Sequence, residues 1–165
     1  MSSLGIALKA HSVPIEFNMN GYSTRKHEDV SLYSPPFYTG PGGYKMRICV
    51  NGNSGGAGTH VSVYVNLMVG EYDDRLSWPF RGEITIQLVN HCNAQDHWER
   101  TLTFGDAAER VGASIRVVSG ERVQGWGYCN FITHTDAESC SDATRRYLNN
   151  DNLTFRVTRV QAATD

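Results

Sequence analysis

No CxxC pair occurs among the four cysteines, Cys49, Cys92, Cys129 and Cys140, which disfavours a zinc finger and a thioredoxin-type redox motif. Four cysteines in 165 residues are also sparse for a secreted disulfide framework, so free thiols in a reducing compartment are expected. An excess of one charge is missing as well. Lys and Arg total 15 against 17 Asp and Glu, a net charge of −2, which removes the electrostatic case for nucleic acid or an anionic membrane surface. No apolar run approaches a membrane span, and "MSSLGIALKAHSVP" is too weakly apolar and too poor in basic residues for a secretory signal. Heptads, internal repeats and linkers are absent too. The expectation is an N-terminal extension over residues 1–13 and a single domain over 14–165.

The usual chemical motifs are equally scarce. "NGNSGGAGTH" lacks the GK[ST] ending that puts a lysine on phosphates, and it joins two strands where a phosphate loop opens a helix. "GWGY" (125–128) has no third glycine in register and no following helix, so it is not a dinucleotide fingerprint. His91, Cys92 and His97 have no fourth ligand at a sensible spacing. "EYDDR" carries Glu71, Asp73 and Asp74 without the rhythm of a calcium loop, and a solvated loop is the expectation. No GxSxG nucleophile elbow occurs. Neither catalysis, nor a metal, nor a cofactor is expected. The sequon Asn152-Leu153-Thr154 points weakly toward secretion, because such triplets are common by chance.

Short β-patterned runs are what the chain does have. "PIEFNMN", "YKMRICV", "THVSVYVNLMV", "EITIQLVN" and "NLTFRVTRV" alternate apolar and polar residues, with β-branched and aromatic enrichment. "SLYSPPFY" reads as an edge segment, since two adjacent prolines remove ladder donors. "GPGG", "NGNSGGAG", "GEYDDR" and "NHCNAQDH" punctuate the runs as turns. Helical turns are expected only over 142–148 ("DATRRYL") and 107–112 ("AAERVG"). The fold class is therefore all-β, an antiparallel sandwich of seven to eight strands, with an up-and-down barrel as the alternative.

Five stretches, "YSPPFYTGPGGYKM", "NGNSGGAGTHVSVYV", "LSWPFRGEITIQLVN", "GWGYCNFITH" and "YLNNDNLTFRV", line up in order with one family. From about Pro14 to Val160 the chain resembles the TRAF-C, or MATH, domain of TNF-receptor-associated factors. The resemblance implies an eight-stranded sandwich, usually trimeric and cytoplasmic, that docks extended tail peptides of receptors or adaptors along a sheet edge. Family members typically carry RING, zinc-finger and coiled-coil segments upstream, and their catalysis resides in the RING. The competing expectation is a MATH domain of an extracellular, protease-associated or ubiquitin-ligase-associated protein, with a recruiting or structural role.

The resemblance also implies which residues meet a ligand. Gly125, Trp126, Gly127 and Tyr128 match a Gly-aromatic-Gly-Tyr turn beside the peptide groove, with the two aromatics facing the ligand. Tyr64 matches an aromatic position on the strand after Gly-Thr-His, and Leu102 falls near an apolar groove position. The family's groove arginine falls on Arg47 counted back from "NGN" and on Cys49 counted forward from "YKM". A two-residue deletion preserves parity, so both share a face, and Arg47 is the candidate. Asn53 occupies a loop position that is often acidic. Ser114 and Ser119 are separated, unlike the clustered serines that clasp glutamine in some members, which favours ligands of the Pro-x-Glu-x-aromatic/acidic type.

Overall fold

The computed structural model describes residues 11–119, 124–141 and 144–163. In chain order the first elements are β1 (His11–Ser12), β2 (Ile15–Met19), α1 (Tyr22–Arg25), β3 (Ser31–Tyr33), β4 (Phe37–Tyr38), β5 (Lys45–Asn51) and β6 (His60–Met68). There follow β7 (Gly82–Leu88), β8 (Trp98–Phe104), α2 (Asp106–Arg110), β9 (Trp126–Thr133) and α3 (His134–Ala137). The last are β10 (Cys140–Ser141), β11 (Thr144–Arg145), β12 (Leu148–Asn149) and β13 (Asn152–Ala162). Residues 1–10 of the expected N-terminal extension lie outside the described residues, and residues 11 and 12 pair with Phe37 and Tyr38.

Period-two alternation builds two sheets. One runs β1-β4-β5-β6-β9 with β3 also on β5; the other runs β12-β13-β7-β8 with β2 also on β13. Pairing is antiparallel except between β1 and β4. Met46, Ile48, Val50, Val61, Val63, Val65 and Leu67 face Ile84, Ile86, Leu88, Leu102, Phe104, Leu153, Phe155 and Val157 in one buried cluster. Phe131 meets Phe155 edge-on between the sheets, ring centroids 6.0 Å apart. Burying each such side chain contributes about 1.5–3 kcal/mol, which is why the alternation fixes register so firmly. The expected antiparallel sandwich is the observed fold.

"SLYSPPFY" shows how the sequence handles its prolines. β3 and β4 pair with opposite ends of β5, and the break between them falls on Ser34-Pro35-Pro36. Ser34 N–H donates to the Ile48 carbonyl at 2.9 Å, and Ile48 N–H donates back to the Ser34 hydroxyl at 3.0 Å. A side-chain oxygen thus replaces a ladder partner where the chain turns away.

Helical turns are not confined to the two expected places, since α1 and α3 are helical too, and two further expectations need correction. The helical turn expected over 142–148 is not there: its described residues form β11, a bend and β12. Arg146 is held from both sides, its N–H on Ser139 O at 3.2 Å and its carbonyl accepting from His91 N–H at 2.6 Å. β12 then reverses into β13 through Asn150 and Asp151, at φ 53° and 63°, the left-handed pair that a two-residue hairpin turn requires. The second concerns "EYDDR". Asp73 is buried, not solvated, because its carboxylate accepts the Gly70 N–H at 2.9 Å and its carbonyl accepts the Trp78 indole N–H at 3.0 Å. The short helix α2, by contrast, falls where "AAERVG" places it.

Candidate functional site

β9 is the last strand of its sheet, and among the described residues no strand pairs with its outer edge. Two glycines set how closely it lies on β6. A Cβ added at Gly127 would meet Tyr64 Cα at 2.6 Å and the Val63 carbonyl closer still; one at Gly125 would sit 3.1 Å from Asn66 Nδ2. The Val63 carbonyl therefore points at β9, in register with Tyr128. Backbone groups alternate direction along a strand, so those of Gly125, Gly127 and Cys129 turn to the open side. The Cys129 carbonyl there accepts from Ser54 Oγ at 2.7 Å, and the Gly125 carbonyl accepts from Gln124 Nε2 at 3.3 Å.

The outer face beside this edge carries two cross-strand rows. Cys49 pairs with Tyr64, and Tyr64 with Gly127; Arg47 pairs with Asn66, whose neighbour Val65 pairs with Trp126. Arg47 is half-buried, its guanidinium 4.0 Å from the centre of the Tyr33 ring and its Nε on Asn66 Oδ1 at 3.4 Å. Burial raises the Tyr64 phenol above its usual pKa, with help from the nearby thiols of Cys129 and Cys49. All four cysteines are free.

The inner face is different. Trp126 and Tyr128 share the parity of Val65 and Val63, so they turn between the sheets toward β8. Trp126 Nε1 donates to Thr103 O at 2.8 Å, and the Tyr128 hydroxyl donates to Thr101 O at 2.7 Å. β8 reciprocates: Trp98 Nε1 donates to Phe131 O at 2.9 Å, and Arg100 Nη1 donates to Asn130 O and Phe131 O at 3.2 and 3.3 Å. The two edge strands are laced together by side chains that cap each other's carbonyls.

The residues anticipated from sequence thus divide. Arg47, Cys49, Tyr64, Gly125 and Gly127 come together on the outer face. Trp126 and Tyr128 do not join them, because register with Val65 and Val63 turns them inward, where they pack against the core cluster. Leu102 is buried opposite Ile84, since even-numbered positions of β8 face inward, and it belongs to the core cluster. Asn53 sits in the β5–β6 hairpin, its Nδ2 on Lys26 O at 2.7 Å. Residues the sequence reading passed over are Tyr33, Asn66 and Arg100. A signal existed for Arg100, an arginine at an inward position of "WERTLTF". Among the described residues, no three His, Cys, Asp or Glu side chains gather as a metal site. No described helix is long and apolar enough to cross a membrane.

The family model described as "TRAF/meprin, MATH domain" matches residues 29–156. The chain belongs to the TRAF/meprin MATH family. Among relatives of this MATH domain, TNF receptor-associated factor 5 of Mus musculus is 30% identical over 154 residues, 89% of this chain and 26% of that protein. TNF receptor-associated factor 6 of Homo sapiens is 31% identical over 146 residues, 85% of this chain and 26% of that protein. The chain accordingly spans about a quarter of these relatives, 26% of each. The solved structure of Notothenia coriiceps TRAF5 superposes with a TM-score of 0.79 at 28% identity, covering 99% of this MATH chain and 81% of that one.

Proposed function

We propose that this MATH domain is a non-catalytic adaptor module of TNF-receptor-type signalling that binds a linear peptide as an added strand on β9. The observation that carries the reading is the edge itself: a terminal strand whose Gly125 and Gly127 leave the way open to Arg47, Cys49 and Tyr64. Main-chain hydrogen bonds would supply affinity, and the outer-face row would supply selectivity. Arg47 has no carboxylate partner among the described residues, which suits an acidic or aromatic ligand group of the Pro-x-Glu-x-aromatic/acidic type in a receptor or adaptor tail. One such groove binds weakly; a homotrimer on clustered tails would gain by avidity. Four free thiols favour a cytoplasmic setting over the extracellular alternative.

The test is an amide-resolved titration with a Pro-x-Glu-x-aromatic peptide, in wild type and Arg47→Ala. Strand addition predicts that the Gly125, Gly127 and Cys129 amides shift and become protected from exchange. It also predicts that Arg47→Ala weakens binding roughly tenfold, as for loss of a charged hydrogen bond. Undisturbed β9 amides on saturation would remove the reading.

A further inference from the structure

We propose that Arg100 is a second specificity-determining residue of this edge, reading an acidic side chain on the face of the added strand opposite to the one Arg47 reads. This rests on strand addition at β9 and extends it.

Arg100 stands where the pattern calls for an apolar residue. It shares the inward parity of Trp98, Leu102 and Phe104 on β8, of which Leu102 and Phe104 are buried, while Thr101 and Thr103 are exposed. Its guanidinium emerges at the seam, 4.0 Å from the centre of the Tyr128 ring. Only neutral groups engage it: Nη1 donates to two β9 carbonyls, and among the described residues no carboxylate pairs with it. Arg25, Arg81, Arg116 and Arg156 each have such a partner. Carbonyls and a ring face orient a cation but leave its full charge uncompensated, and half-burial weakens screening by salt. A planar guanidinium held in place, with Nη2 and Nε free of these bonds, is suited to a carboxylate.

The ligand's own alternation brings the carboxylate there. A strand added about 4.8 Å beyond β9 points successive side chains to opposite faces. Those on the outer face cross the bare Gly125 and Gly127 toward Arg47; those on the inner face come down over Trp126 and Tyr128 toward the seam with β8. The carbonyls of Thr101 and Thr103 are already capped, so the charge of Arg100 is the distinctive feature left at the seam. Residues reaching opposite faces are an odd number of positions apart. Arg47 lies on the row of Asn66, which continues to residue 125, whereas Arg100 stacks on Tyr128, so the matching spacing is three.

The test uses ten-residue Thr/Val/Ala peptides carrying one Glu, or two Glu spaced by two, three or four. Binding is measured by fluorescence anisotropy to wild type, Arg47→Gln, Arg100→Gln and Arg100→Lys. Wild type should prefer spacing three. Replacing the inner-face Glu by Gln should weaken binding roughly tenfold. In Arg100→Gln that Glu-over-Gln preference should vanish while the one attributed to Arg47 persists, and Arg100→Lys should keep part of it. If Arg100→Gln weakens Glu and Gln peptides equally, the residue only straps β8 to β9 and the inference is wrong. If the Arg47 preference appears without any Arg100 preference, strand addition stands and this inference falls. Should no peptide bind wild type, strand addition itself is refuted and takes the inference with it.

Discussion

The two glycines flanking Trp126 are only two positions apart, yet replacing each by alanine should give very different results. At Gly127 the new methyl would lie 2.6 Å from Tyr64 Cα, against about 3.4 Å for ordinary contact. Neither obstacle is a movable side chain; both belong to the β6 backbone. The Val63 carbonyl is closer still, so the strands must part by at least roughly 0.8 Å, which stretches a ladder bond of about 2.9 Å beyond the length at which it still holds. The bonds at risk join Val63 with Tyr128 and Val65 with Trp126. Overpacking of about 1–3 kcal/mol, plus partial loss of bonds worth about 1 kcal/mol each, gives a destabilisation of about 2–4 kcal/mol. That is a large share of the ~5–15 kcal/mol that holds a typical domain together. At Gly125 the neighbours are Asn66 Nδ2 and Tyr64 Cβ at 3.1 and 3.2 Å, so a shift of a few tenths of an ångström suffices and about 1 kcal/mol or less is expected. Urea unfolding followed by tryptophan fluorescence reads both. A Gly127→Ala variant within ~0.5 kcal/mol of wild type, or no less stable than Gly125→Ala, would refute the backbone clash.

Titrating groups and free thiols carry further tests. Glu138 accepts from Lys26 and, at 2.8 Å, from the Tyr22 hydroxyl; the Lys26 bond chiefly holds its carboxyl below the ordinary 4.5. A depressed folded pKa stabilises above the unfolded value and is lost as pH falls through the folded one. The stability gap between wild type and Glu138→Gln should therefore be full at neutral pH and narrow below about pH 4.5; a pH-independent gap would contradict it. Burial, then the bond to Glu138, raises the Tyr22 phenol, so its contribution should fade as pH climbs past 10 and be absent in Tyr22→Phe. Ellman's reagent should label the exposed Cys92, Cys129 and Cys140 of the native domain faster than half-buried Cys49. Saturating peptide should slow Cys129 alone among the exposed three, and an unchanged Cys129 rate would count against occupancy of β9.

The long strands were legible because each buries one face, and alternation in "KMRICVN" or "HVSVYVNLM" records that directly. What failed was information that alternation does not carry. The pairing of β6 with β9 shifts register between Val61 and Val63 by an even number of residues, which keeps parity, and the partners Val63 and Val65 place Tyr128 and Trp126 on the core side. Sequence spacing alone could group Trp126 and Tyr128 with Tyr64; only the paired register separates them. β11 and β12 were missed because long-range backbone bonds from Ser139 and His91 fix Arg146, overriding the helical look of "DATRRYL". The Asn150-Asp151 turn, in contrast, left a readable mark in its residue types.

An open sheet edge is a hazard, since any extended chain can dock on it. Here the lacing of β8 to β9 lowers the hazard on β8, the last strand of the facing sheet. The Thr101 and Thr103 carbonyls, which would template a second chain on β8, are occupied by the very side chains that β9 contributes. The same four aromatic and cationic side chains, Trp98, Arg100, Trp126 and Tyr128, thereby close one flank of the sandwich while the outer edge of β9 stays unpaired among the described residues.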